Sequence, residues 1–284
     1  MRFVKNFSIV FHIFVLSIVL EMHANIEKPS SVFILVHGTW GAECSWYVPK
    51  GDFFDALEAT VSEKNSVVVS FRWSGGCGHD SRVKAAQSLV KLIKTYDVDM
   101  AIFIVAHSHG GTVAVLASQL LAQEVDNKHN IRALFTLGTP VMSNYLPNMK
   151  IIHYLYNLFS FEDIVQPVLG ISSREYPEHK RIANLRVIVD GKEPDHTGIH
   201  HPIIGKWIAY VHQYFKQYLH NKDITNHISE PSIVHFEENK APEYAYDIRR
   251  DELMERDRQL SVLILNSLRN SFDPAPLTPH GDPG

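Results

Sequence analysis

The stretch Ile102-Phe-Ile-Val-Ala-His-Ser-His-Gly-Gly-Thr-Val-Ala-Val-Leu116 changes character in its middle. Ala101 to Ala106 is a short apolar run that reads as a buried strand, and beyond Gly111 the apolar residues Val113, Leu116, Ala117 and Leu120 recur on one helical face. Between them stands Ser108, flanked by His107 and His109. A strand that passes so abruptly into a helix brings two backbones close together, which requires small residues two before and two after the turn. Ala106 and Gly110 meet that requirement. A serine hydroxyl is a poor nucleophile near neutral pH unless a base takes its proton and the backbone holds its oxygen clear. A helix that starts just beyond it aims free N–H groups and a positive dipole at the oxygen of an acyl group. The plain alternative is a serine that only caps the helix.

The same rhythm extends in both directions. Ser31 to His37, Val67 to Trp73, Arg132 to Leu137, Ile151 to Tyr156 and Leu185 to Val189 read as further strands, six in all with Ala101 to Ala106. Phe53 to Val61 has helical spacing, Val83, Ala86, Val90 and Ile93 form one apolar face, and Ile204, Trp207, Ile208, Val211 and Phe215 form another. Nearly continuous apolar strands alternating with helices predict an α/β fold, a mostly parallel sheet covered on both faces. Ligands of such sheets bind outside the carboxyl ends of the strands.

With 284 residues, 45% hydrophobic and 20% charged, the chain can bury a sizeable core. A formal net charge of −4 without a basic block excludes a nucleic-acid binder. Arg2 and Lys5, an apolar run from Phe7 to Leu20 and a polar turn at Glu21 to Ala24 have the layout of a secretory signal over residues 1–24, so export is expected. An uncleaved membrane anchor through residues 7–20 is the alternative, although that run is short for a full span. The alternating pattern of strands and helices occupies residues 31–220. Residues 221–272 read as a polar extension with a helix, whose Leu260 to Leu268 stripe either packs on its own domain or contacts a partner or membrane surface, and proline-rich 273–284 reads as a disordered tail. Cys44 and Cys77 allow one bridge or two free thiols. No oligomeric state can be read from the chain.

Taken together, these elements resemble the α/β-hydrolase family, and within it the lipase-like serine hydrolases. Ala106-His-Ser-His-Gly110 resembles the family's Gly-x-Ser-x-Gly nucleophile elbow with alanine in first place. Val36-His-Gly-Thr-Trp-Gly41 resembles its His-Gly segment, which implies the backbone N–H of Thr39 as one oxyanion donor and that of His109 as the other. Leu137-Gly-Thr-Pro140 is similar to a Gly-Thr-Pro found in many lipases and reads as structural. In this family the serine is followed in the chain by an acid and then a histidine. Phe159-Ser-Phe-Glu-Asp-Ile-Val-Gln166 resembles the acid loop and implies Asp163, with Glu162 adjacent. Asp195-His-Thr-Gly-Ile-His-His-Pro202 offers His196, His200 and His201 as the base. His196 fits best, because Pro202 reads as the first turn of the last helix. The side chains of His37, His107 and His109 are expected to pack or hydrogen-bond around the elbow.

The resemblance therefore implies a compact α/β-hydrolase fold and a Ser108, His196, Asp163 triad that cleaves an acyl ester or lipid through an acyl-enzyme. No cofactor or metal is expected, although Asp195, His196, His200 and His201 have a spacing compatible with zinc. Thioester or amide hydrolysis, or acyl transfer, would use the same residues, and a non-catalytic binding protein is the rival from another class. Ser74 to Arg82 and Gln166 to Arg181 are expected to border the mouth. Ala106 departs from the family's glycine. With only the leader-like segment before Val32, the family's two opening strands are expected to be absent.

Overall fold

Ser31–Val36 is buried along its whole length, and the sheet grows from it in both directions. The computed structural model describes residues 28–62, 65–166, 173–221 and 232–237. The leader 1–24, the Leu260 to Leu268 stripe and the tail 273–284 lie outside the described residues. The strands are β1 (Ser31–Val36), β2 (Ser66–Phe71), β3 (Ala101–His107), β4 (Ala133–Leu137), β5 (Leu155–Phe159), β6 (Ile182–Val189) and β7 (Ser232–Phe236). They lie in the order β2-β1-β3-β4-β5-β6-β7, and every neighbouring pair is parallel. The helices are α1 (Asp52–Ser62), α2 (His79–Ile93), α3 (His109–Gln123) and α4 (Pro202–Asn221). Among the described residues no helix is long and apolar enough to cross a membrane.

Successive side chains of a strand point to opposite faces, and β1 divides its residues accordingly. Phe33 and Leu35 pack with Phe53, Phe54, Leu57 and Val61 of α1 and with Ile204, Trp207, Ile208 and Val211 of α4. Val32, Ile34 and Val36 pack on the other face with Ala85, Ala86, Leu89, Val90 and Ile93 of α2 and Val113, Leu116, Ala117 and Leu121 of α3. Each large side chain buried in this way stabilises the fold by about 1.5–3 kcal/mol.

The bounds of several elements shift by two or three residues, as where β6 starts at Ile182 instead of Leu185, and two elements differ more. The sheet has seven strands instead of six, because Ser232–Phe236 pairs with β6 and buries Val234 and Phe236. The fifth strand starts at Leu155, not Ile151, because the Ile151 and Ile152 N–H groups close a turn on Asn148 O at 3.0 and 2.9 Å.

The strand order runs one way from β1 to β2 and the other way from β3 onward. The register sets Val36 beside Ala106, so the carboxyl ends of β1 and β3 flank the point of reversal, where open α/β sheets leave a crevice. Cys44 and Cys77 are exposed and unpaired.

Candidate active site

Ser108 stands between β3 and α3 with φ 53° and ψ −133°. A non-glycine residue held there stores about 1–3 kcal/mol of strain, which the surroundings must offset. They do so through hydrogen bonds. The Ser108 N–H donates to Leu137 O at 2.9 Å, and Ser108 O accepts the Gly111 N–H at 2.9 Å and the Thr139 hydroxyl at 3.0 Å. At Gly110 a Cβ would stand 2.5 Å from His37 O and 2.6 Å from Val36 O, so only glycine fits. Ala106, the departure from the family's pattern, buries its methyl completely in the core on the α2 and α3 side.

Side chains from two separate loops converge on this serine. His196 Nε2 lies 3.1 Å from Ser108 Oγ, and His196 Nδ1 lies 2.8 Å from Asp163 Oδ2. Asp163 is wholly buried, and its Oδ1 accepts the N–H groups of Val165 and Gln166, both at 3.0 Å. With one oxygen of the carboxylate committed to backbone, the other faces the imidazole. Glu162, the adjacent acid, is exposed, and its N–H donates to Ser160 Oγ at 3.1 Å.

The loop after β1 passes directly over the elbow. A Cβ on Gly38 would come within 2.7 Å of Ser108 Cβ, which places the Gly38-Thr39 backbone against the serine. Thr39 Oγ1 and His109 Nδ1 are 2.8 Å apart, so the residues whose N–H groups are the candidate oxyanion donors are tied together. His109 heads α3, where the first N–H groups of a helix have no partner within it. The neighbouring Trp40 N–H is used elsewhere, on Gly75 O at 2.9 Å.

Four further histidines around the site, His37, His107, His109 and His200, have lowered pKa values. His107 is buried and donates its Nε2 proton to His196 O at 2.8 Å; burial, reinforced by His196 and His200, holds its pKa well below the ordinary value. His37 donates from Nδ1 to Gly38 O at 2.8 Å and accepts the Trp73 N–H on Nε2 at 3.1 Å, and burial lowers its pKa as well. Burial pushes His109 down to about 4, with Arg82 and His196 adding to the effect, and pushes His200 down to about 4. His200 stacks on Trp46 at 5.0 Å between ring centroids, and His201 Nδ1 accepts the Ile203 N–H at 3.3 Å. Asp195 Oδ1 accepts N–H groups from Thr197 and Gly198, which fixes the turn after the base. The four side chains with zinc-like spacing therefore serve four different partners.

Several residues around the site go beyond the sequence reading. Thr139, in the segment read as structural, bonds the elbow directly. Gln166 Nε2 donates to Thr139 O at 2.8 Å, tying the acid loop to that segment. Glu193, Arg186 and Arg174 brace the loops of Asp163 and His196, and nothing in their local sequence marks them.

Residues 53–170 match the family model of the class 3 lipases, a span that contains all of α1 but its first residue, the elbow and Asp163. Over that span the chain is similar to the class 3 lipases, and its strand order and elbow are those of an α/β-hydrolase type of fold. No curated protein matches it. Among solved structures it is similar to a cutinase-like protein from Cryptococcus sp., at 12% identity over 66% of this chain and 96% of that one, with a TM-score of 0.40. It is also similar to an acetyl xylan esterase, at 12% identity over 67% of this chain and 99% of that one, with a TM-score of 0.36. The assignment of the fold rests on this chain's own topology, not on these distant likenesses.

Proposed function

We propose that the protein hydrolyses carboxylic esters of lipid-like acids through a serine acyl-enzyme. The observation that carries this reading is the relay of two hydrogen bonds, 3.1 and 2.8 Å, that ends on a strained serine at the sheet's point of reversal. Ser108 Oγ attacks the acyl carbon while His196 Nε2 takes its proton. Asp163 accepts the Nδ1–H, fixes the tautomer and offsets the imidazolium charge without taking the proton itself. The Thr39 and His109 N–H groups hold the oxyanion, each such donor contributing about 3–4 kcal/mol to the transition state. His196 then returns the proton to the leaving alcohol. In the second half water attacks the acyl carbon, His196 again serves as base, and the acid departs from a regenerated serine.

The class 3 lipase match supports an ester as the scissile group. Trp40, 83% exposed beside Thr39, and Ile164, 73% exposed beside Asp163, put apolar surface next to the relay and favour a lipid-like substrate. Export follows from the charged, apolar, polar layout of residues 1–24; a mature N-terminus starting beyond residue 24, read by mass spectrometry, is the expected result. The deciding experiment is Ser108→Ala. It should lower turnover of p-nitrophenyl esters by on the order of 10⁴–10⁶ and abolish labelling by a fluorophosphonate probe. Undiminished turnover would refute the reading.

A further inference from the structure

The loop after β5 carries Asp163 and the loop after β6 carries His196, and one carboxylate outside the relay holds the two loops together. Glu193 Oε2 accepts the Phe161 N–H at 2.6 Å and the Ser160 hydroxyl at 3.3 Å, both on the Asp163 loop. Its Oε1 accepts Arg186 Nε at 2.9 Å and pairs with Nη2 of the same guanidinium. That guanidinium lies 4.4 Å from the centroid of the Phe161 ring, so it grips the same loop a second time. The side chains of Glu193 and Arg186 are only 13% and 29% exposed, which leaves this pair, with both guanidinium nitrogens on one carboxylate oxygen, less screened than an ion pair on open surface. From the other side Arg174 Nη2 donates to Asp163 O at 3.0 Å and Phe161 O at 3.2 Å.

The chain from Glu193 to His196 is short and stiff. Pro194 fixes its own φ, and the Asp195 carboxylate locks the next turn through the Thr197 and Gly198 N–H groups. A shift of the Glu193 end therefore reaches His196 with little slack to absorb it.

We propose that Glu193 is a positioning residue of the relay: with Arg186 it sets the Ser160-Phe161 segment against the His196 loop, so that Asp163 Oδ2 meets His196 Nδ1. The proposal rests on the serine-hydrolase reading above. A purely structural ion pair would lower thermal stability and leave the turnover of each correctly folded site unchanged. A positioning residue lowers kcat per site instead, because a displacement of about 1 Å near reacting groups costs up to about a hundredfold in rate.

The test uses the full chain with Glu193→Gln, Glu193→Ala and Arg186→Met, counting active sites by fluorophosphonate titration and measuring kcat and KM on a p-nitrophenyl ester. Glutamine still accepts the Phe161 N–H and loses only the charge, so kcat per site should fall about tenfold for Glu193→Gln and about a hundredfold for Glu193→Ala, with KM within about twofold of wild type. Arg186→Met approaches the same clamp from the other partner, decides the matter if Glu193→Ala does not fold, and should match Glu193→Gln. Wild-type kcat per labelled site in the folded variants would overturn the proposal while leaving the triad intact. A wild-type protein that takes no label would instead remove the triad, and the clamp's role with it.

Discussion

Replacing Gly110 with alanine adds one methyl group where two backbones nearly touch. Cβ atoms essentially never approach other heavy atoms closer than 3.0 Å, yet here the new carbon would meet His37 O at 2.5 Å and Val36 O at 2.6 Å. Neither oxygen sits on a flexible side chain. Val36 is paired with Ala106 on one side and Phe71 on the other, so the end of β1 cannot retreat without dragging β2 and β3. The cost should lie at the upper end of overpacking, about 3 kcal/mol. For a folded unit of about 200 residues that corresponds to a fall in Tm of roughly 6–12 °C. Because the same shift moves Ser108, fluorophosphonate labelling should slow as well. Gly78→Ala provides the control, since a Cβ there meets nothing within 4 Å; its effect should stay within about 0.5 kcal/mol. Calorimetry and labelling rates on both variants decide the matter. If Gly110→Ala melts within about 2 °C of wild type and labels at the same rate, the close-approach argument for the elbow is wrong.

Three further outcomes are expected. Asp163→Asn turns an acceptor of the His196 proton into a donor and should lower kcat on the order of 10⁴-fold with KM nearly unchanged, in steady-state ester hydrolysis. Ser108→Gly removes the nucleophile and relieves the positive φ, so an inactive protein about 1 kcal/mol more stable is expected; a denaturant titration showing lower stability contradicts the strain argument. His109 and His200, held at about 4 in the fold against 6.5 unfolded, bind fewer protons folded than unfolded. Their contribution is complete above pH 6.5 and is lost as the pH falls toward 4; discounted for partial exposure, it should cost about 2 kcal/mol between pH 7 and 5. Equal urea midpoints at those two pH values would contradict it.

The centre of the sheet is legible from sequence because β1, β3 and β4 are largely buried on both faces and read as nearly continuous apolar runs, interrupted in β4 by Thr136. The strand, turn and helix around Ser108 are legible for a local reason: the apolar period switches over a few residues, and the small residues mark the crossing. What escapes is set by distance. The hydroxyl of Thr139, the amide of Gln166 and the carboxylate of Glu193 find their partners only once separate loops meet, so their sequence neighbourhoods carry no signal. The polar residues around Ser232–Phe236 hide β7. Its connection is also unexpected: α4 lies on the face opposite α3, although both crossovers step in the same direction across the sheet, so β6–α4–β7 has the opposite hand to β3–α3–β4. In the segment Ile151 to Phe159, mostly apolar apart from His153 and Asn157, periodicity cannot show where pairing begins.

The apolar face of α1 is covered by α4, which follows it by about 150 residues. At a synthesis rate of 5–20 residues per second, Phe53, Phe54 and Leu57 wait on the order of ten seconds for Trp207 and Ile208 to leave the ribosome. During that interval the nascent chain has its serine but not its histidine, and α1 can lie on β1 and β2 while the side that α4 will cover stays bare.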